Sequence, residues 1–520
     1  MKKNNRTSNS LKNSFSSLLS NIVAIIIGFI AQALFLKILN TEYLGLNGLF
    51  TNVLTMLSFF ELGIGNAIVF YMYKPLAENN VEKIRQLMSF YKKSYRIIAL
   101  IVFSIGMLLL PFIKYLVNDV SIDINIYIVY FLFLLSTVVS YLMVYKRNML
   151  YADQKNYYIN IIHCFYLVVL NISQLIFLAI TKNYYLYLII KICCQILENI
   201  VITILVNNLY PYINESNNSK LDTETEKNIF QKVKALIFHK VGYIIINGTD
   251  NIIISKFFGL VAVGLYSNYY LIINSVFTMF SQAITSLTAS VGNLLVNCDS
   301  SKSFTIFKKI RFINFIVSTF CATSVLCLIQ PFITIWIGEK YLLDKTVLFV
   351  LIFNLFQKLQ RCTYMTFKDS AGIWEEDRFV PIIESLLNII FSILLLKFFG
   401  LAGVFWGTIV SGLALWCYSY PKFVYKKMFS RGYFDYARET LNYIFVFFVI
   451  VFITYISTNL YLFSNSLLQL VFNGCLCLIV PFVLIGIVFR KHEEYKYFVE
   501  LIQKILFKLM NKMKFVKHQK

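Results

Sequence analysis

Apolar runs of about 20 residues recur from one end of this 520-residue chain to the other, and few architectures can hold them. A run of that length crosses a hydrocarbon core only as a helix, because a helix satisfies its own backbone N–H and C=O groups where no water reaches them. Between charge clusters the runs fall at 14–38, 44–72, 94–117, 124–145, 157–181, 183–209, 235–258, 262–296, 312–336, 346–367, 379–398, 401–425, 439–458 and 466–489. Read as spans, they predict an all-α polytopic membrane protein with about fourteen transmembrane helices. Composition agrees, since 58% of residues are apolar, 14% are charged and the mean hydropathy is +0.68. The run 262–296 is longer than one crossing requires, so its inner end is predicted to continue as a helix into the cytosol.

Orientation follows from Lys and Arg. With the N-terminus inside, the outer loops hold only Lys37, Lys114, Lys182, Lys256, Lys340, Lys345 and Lys397 of the 48 basic residues, and most of the others fall in cytosolic segments. Both termini are therefore predicted in the cytosol, with the chain in the cytoplasmic membrane. The net charge of +22 is the signature of insertion beside an anionic leaflet and calls for membrane lipids, not nucleic acid, as its partner. The first apolar run continues past Phe29 to Leu39 without a small-residue cleavage pattern, which marks a retained span. Nine of the ten cysteines lie in spans or at their ends and Cys298 lies in a cytosolic loop, so no extracellular disulfide framework is expected. Neither Cys193 and Cys194 nor Cys475 and Cys477 have companions at metal-ligand spacing, and no metal or cofactor is predicted.

The polar stretch from Asn208 to Lys234, with Asp222, Glu224 and Glu226, divides the chain into halves. Features recur across it at an offset of about 220 residues. Gly45 and Leu46 are echoed by Gly264 and Leu265, Pro111 to Ile113 by Pro331 to Ile333, Arg147 by Lys368, and Lys92 and Lys93 by Lys308 and Lys309. An even number of spans per copy gives the copies one orientation, related by a pseudo-twofold along the membrane normal. The expected organisation is a six-helix lobe at 1–209, a cytosolic linker at 210–234, a second six-helix lobe at 235–428, an extra helix pair at 429–489 and a basic amphipathic tail at 490–520. In that tail Phe498, Ile502, Ile505, Leu509 and Met513 follow helical spacing among lysines, as in a helix lying on the inner membrane surface.

An ionisable side chain within a span costs at least about 2.5 kcal/mol on insertion scales, so such residues face a wet cavity or a partner. Lys191, Lys240, Lys358 and Arg361, with Gln195, Asn247 and Asn251, are the candidate substrate-binding groups, and a cavity carrying those cations would attract an anion. Glu61, Asp250, Glu198 and Glu384 are candidates for coupling to a proton or sodium gradient, Glu61 and Asp250 foremost. The blander alternative bridges Lys191 to Glu198 on one helix face and lets Arg361 and Lys368 snorkel to the inner surface. His163 stands alone among Ile, Cys and Phe and reads as core packing, and Pro111, Pro331 and Pro481 permit bends in or near spans.

The stretch Glu61–Asn79, ELGIGNAIVFYMYKPLAEN, followed by Asn247–Ser255, NGTDNIIIS, and Val263–Tyr269, VGLYSNY, resembles the bacterial polysaccharide repeat-unit flippases of the multidrug, oligosaccharidyl-lipid and polysaccharide exporter superfamily. The resemblance covers essentially the whole chain. It implies movement of an undecaprenyl-diphosphate-linked oligosaccharide from the inner to the outer leaflet by alternating access, for assembly of a surface polymer such as capsule or O-antigen. A polysaccharide polymerase would be an expected partner. On this view Lys240, Lys191 and Arg361 meet the diphosphate or acidic sugars, and aromatic spans guide the prenyl tail.

An ion-coupled multidrug exporter of the same superfamily is the nearest rival, but excess cavity Lys and Arg disfavours small cations. A membrane polymerase or glycosyltransferase would need an outer active-site loop, whereas the first outer loop is only Asn40 to Tyr43. No Gly-rich phosphate loop with a following Lys-Ser/Thr supports direct ATP use. The topology is checked with reporters: alkaline phosphatase fused after Lys182 should be active, and a fluorescent protein fused after Lys520 should fold and fluoresce. The opposite pair of results reverses the orientation.

Overall fold

The computed structural model describes residues 3–61, 63–117, 122–214, 221–373, 376–460, 463 and 465–518. Its helices run in the order α1 Lys3–Ile38, α2 Thr41–Leu57, α3 Ile64–Ala77, α4 Val81–Leu109, α5 Ile113–Leu116, α6 Ile126–Leu142, α7 Val144–Ala152, α8 Asn156–Thr181, α9 Tyr184–Leu209, α10 Thr223–Gly248, α11 Asp250–Thr285 and α12 Thr288–Asn297. There follow α13 Ser300–Trp336, α14 Lys345–Ser370, α15 Val380–Phe399, α16 Leu401–Ala414 running into a π-helix at Leu415–Met428, α17 Tyr433–Thr458, α18 Ser466–Phe489 and α19 Glu493–His518. Among the described residues there is no strand. Several starts are fixed by one device: Asn40, Asn80, Asn125, Asn183 and Asn465 each accept backbone N–H bonds from the first turn that follows, which satisfies donors the helix itself leaves open.

Ten of these helical stretches are long and apolar enough to cross a membrane, and α6 with α7, bent by 44°, would make eleven. The chain is a multi-pass helical membrane protein, and the difference from about fourteen spans lies in three places. The run 44–72 is not one helix: α2 and α3 are separated by a 3-10 turn at Ser58–Glu61 and by Gly63 at φ 76°. Lys240–Asn297 passes as a single stretch, yet Gly259 inside it has φ 78° and ψ 175°, which no helix contains. α14 falls short because Lys358, Arg361 and Lys368 interrupt its apolar face. The expected continuation of 262–296 is also broken, since α11 ends at Thr285 and α12 restarts at Thr288. Asp222, Glu224 and Glu226, read as part of a polar linker, cap and open α10, with the Asp222 side chain accepting the Thr225 N–H.

Two compact units divide the chain, one of residues Met1–Leu271 with Pro381–Ser385, the other of Ile272–Val380 with Leu386–Lys520. In the first, α1 packs along α8, α8 on α9, α4 on α6, and α10 on α2 and α3. In the second, α13 is the central helix and packs against α14, α17 and α18.

Within the first unit, α2 and α11 meet at backbone contact. A Cβ on Gly45 would sit 2.1 Å from the Leu260 carbonyl oxygen, and one on Gly264 would sit 2.2 Å from that of Thr41. These are the two glycines that recur across the halves of the sequence, and each supplies the gap for the other helix. Gly45→Ala and Gly264→Ala should each destabilise the detergent-solubilised protein by about 1–3 kcal/mol through overpacking. Gly474, with nothing within 4 Å of its would-be Cβ, should accept Ala without loss. Thermal unfolding of the three variants checks the contrast.

Candidate functional site

The break between α2 and α3 creates the first unit's polar centre. The 3-10 turn ends at Glu61, and Gly63 in the left-handed region redirects the chain, so Glu61 leaves the helix sideways. Its carboxylate meets two partners. Lys240 on α10 donates to Oε2 at 3.0 Å and the Tyr95 hydroxyl on α4 donates to Oε1 at 2.6 Å. The lysine and glutamate side chains keep 29% and 28% of their exposure, so this is a pair within reach of a visiting group. Tyr91 packs on Tyr95 with ring centroids 4.9 Å apart, and Asn148 on α7 donates to the Tyr91 hydroxyl.

The other candidates in this unit are placed as follows. Gln195 accepts the Ser136 hydroxyl at 2.8 Å. The Lys191 ammonium lies 5.2 Å from the Phe133 ring centroid, a cation–π contact. Asn251 is buried and donates to the Gly48 carbonyl at 3.3 Å. Asp250 opens α11, half-buried, and Glu384 is buried on α15, whose Pro381 lies against Gly242 of α10. Asn247 lies on α10, and its side chain is outside the described residues.

Three expectations are corrected. Glu198 is not bridged to Lys191: its Oε1 lies 3.1 Å from Arg147 Nη2 and 2.9 Å from His163 Nδ1. His163 is accordingly no lone packing residue. Lys368 does not snorkel, being buried in an ion pair with Asp377 to which the Ser419 hydroxyl adds bonds of 3.0 Å on both sides.

In the second unit Lys358 and Arg361 sit half-buried on α14, and Arg361 approaches Gly412 of α16, where a Cβ would be 2.9 Å from Nη2. Arg311 on α13, absent from the sequence-based candidates, is also deeply enclosed. It is 2% exposed, contacts Tyr425, pairs with Glu439 at 2.6 Å, donates to Thr440 at 2.9 Å and lies 4.9 Å from the Tyr443 ring centroid. It borders a cavity of about 250 Å3 lined also by Gln357, Gln360, Trp416 and Tyr436. A much larger groove, about 1210 Å3, runs between α13, α14, α17 and α18; Leu326, Leu348, Phe445, Phe448 and Phe452 line it, with Gln330, Gln469 and Asn473 as polar points. Beyond the spans, a hydrogen bond from Lys427 holds the Glu376 carboxyl below the usual carboxylate range, and the Thr346 N–H does the same for Asp344 at the start of α14.

The fold is that of a class of helical membrane transporters. The solved structure of the lipid II flippase MurJ in an inward closed conformation matches with a TM-score of 0.63 at 14% identity, over 92% of this chain and 98% of that one. An inward-facing multidrug resistance MATE family transporter of the MOP superfamily gives 0.58 at 13%, over 77% and 95%. The Vibrio cholerae MATE transporter VcmN gives 0.55 at 12%, over 80% and 97%. Residues 10–291 match the model of a family described as polysaccharide biosynthesis protein, and the chain belongs to that family. No curated protein matches its sequence.

Breaking a buried pair leaves an uncompensated charge, so Lys368→Met or Asp377→Leu alone should cost about 3–5 kcal/mol. The double variant should recover most of that loss, as read from thermal unfolding in detergent.

Proposed function

We propose that this protein carries an undecaprenyl-diphosphate-linked oligosaccharide across the cytoplasmic membrane by alternating access, as a step in surface polysaccharide assembly. The observation that carries the reading is the half-buried pair of Lys240 and Glu61. A diphosphate is a stronger and more highly charged acceptor than a carboxylate, and a lysine already desolvated by its surroundings has less hydration to shed on meeting it. Substrate would take Lys240 from Glu61, and departure would return it. The family's description and the likeness of fold to a lipid II flippase support this reading, and the long apolar groove of the second unit suits a prenyl tail.

Lys191 and Arg361 are proposed to add positive potential along the path, with Lys358, Gln195, Asn247 and Asn251 as further contacts. Glu61 and Asp250 are the foremost candidates for coupling transport to an ion gradient, ahead of Glu198 and Glu384. Both termini are placed in the cytosol.

Lys240→Gln, Lys191→Gln and Arg361→Gln should each lower surface polymer several-fold while protein in the membrane stays at wild-type level. Normal polymer in all three variants removes the assignment. Glu61→Gln and Asp250→Asn should flatten the pH dependence of export, and coupling through these carboxylates is wrong if neither does.

A further inference from the structure

The first unit contains a second charged cluster that substrate binding leaves unused. Glu198, its side chain 5% exposed, receives both Arg147 and His163 on the same oxygen. Tyr166 stacks on the imidazole with ring centroids 5.5 Å apart. Arg147 stays charged at every accessible pH, so one carboxylate faces one permanent cation and one that changes state in the physiological range. The His163 side chain is 40% exposed, which leaves it a route to exchange its proton.

This cluster is joined to the Glu61 site through one short helix. Arg147 and Asn148 are consecutive on α7: the first reaches Glu198 on α9, the second reaches Tyr91 on α4. Tyr91 packs on Tyr95, and Tyr95 donates to Glu61, whose other oxygen holds Lys240. Gly65 makes room for this row, because a Cβ there would lie 2.6 Å from the Tyr95 hydroxyl and 2.8 Å from that of Tyr91. The 44° bend after α6 sets α7 apart as a separate rigid piece.

We propose that His163, Glu198 and Arg147 form a proton-binding site coupled through α7 to the Glu61 and Lys240 pair; its bearing on transport rests on the function proposed above. A proton taken from water by His163 strengthens its bond to Glu198 and places a second cation beside Arg147. Arg147 is pushed away, α7 shifts with it, and Asn148 carries the shift to Tyr91, Tyr95 and Glu61. Glu198 from α9 and Tyr166 from α8 itself stand against the imidazole, Arg147 from α7 reaches the same carboxylate oxygen, and Cys194 from α9 lies near Tyr166. Lys146 on α7 is held by Asn207 at 2.6 Å, and on α1, which also packs on α8, Lys12 lies over Tyr157.

The test uses the full-length protein in nanodiscs with 15N-labelled histidine and no substrate. The chain has four histidines, so the His163 signal is the one lost in His163→Gln. Glu198→Gln should lower the proton affinity of His163 about tenfold, one pH unit. Asn148→Ala and Glu61→Gln, which do not touch the imidazole, should each move the midpoint by about threefold, with Asn148→Gln restoring part of the effect. A midpoint unmoved by Glu198→Gln overturns the site, and one unmoved by both Asn148→Ala and Glu61→Gln overturns the coupling. In cells His163→Gln should flatten the pH profile of polymer export. An unaltered profile overturns the link to transport and leaves the flippase reading standing, whereas normal export in the Lys240, Lys191 and Arg361 variants ends that reading and leaves the titration intact.

Discussion

A charge enclosed by hydrocarbon needs a counter-charge, and that requirement organises the interior of this molecule. The cost of an isolated ion in a low-dielectric medium far exceeds the cost of bending a helix or enclosing a loop. Four basic groups come with acids, Lys240 with Glu61, Arg147 with Glu198, Lys368 with Asp377 and Arg311 with Glu439, while buried Lys146 is held by the Asn207 side chain. Their burial separates the ion pairs. The pair at Lys368 is enclosed on both sides and Arg311 is enclosed beside a half-exposed Glu439, and hydroxyl groups tie both into the helices around them. The pair at Lys240 keeps partial access on both sides.

Elements whose formation depends on local chemistry were legible in the sequence. Long apolar runs became helices because no other backbone arrangement is satisfied in lipid, and the asparagines before them became caps. Breaks were harder to see. Gly63 adopts positive φ inside a run read as one span, and hydropathy carries no information about backbone angle, whereas Gly259 breaks the helix where two of the expected spans meet. The partners of the charges were also hidden. Lys240 and Glu61 were both singled out, but 179 residues separate them and nothing in either segment names the other. His163 looked solitary because its acceptor lies on the next helix, at Glu198. Arg311 stands one residue before a run read as a span and Glu439 opens another, so neither stands out as a charge inside an apolar run. Asp377 belongs to the turn between α14 and α15 and was overlooked for the same reason.

The sequence echoes have a spatial counterpart. Gly45 and Gly264 each lie where the other's helix passes, so a motif duplicated in sequence becomes one two-sided contact in space. Arg147 and Lys368, another matched pair, both end in acid-paired positions, one on α7 and one on α14. In each case the copies preserve a physical requirement, backbone proximity or charge compensation, though little else in the surrounding sequence is alike.

The place of α10 has a practical corollary for anyone dividing the molecule. The polar stretch before it is where a protein engineer would cut. Yet α10 packs on α2 and α3 and brings Lys240 to Glu61. Fragments separated at that stretch would have to rebuild a membrane-embedded salt bridge between two polypeptides, while a cut after Leu271 leaves both charges on one. The covalent midpoint of this chain and the seam between its bodies are different places.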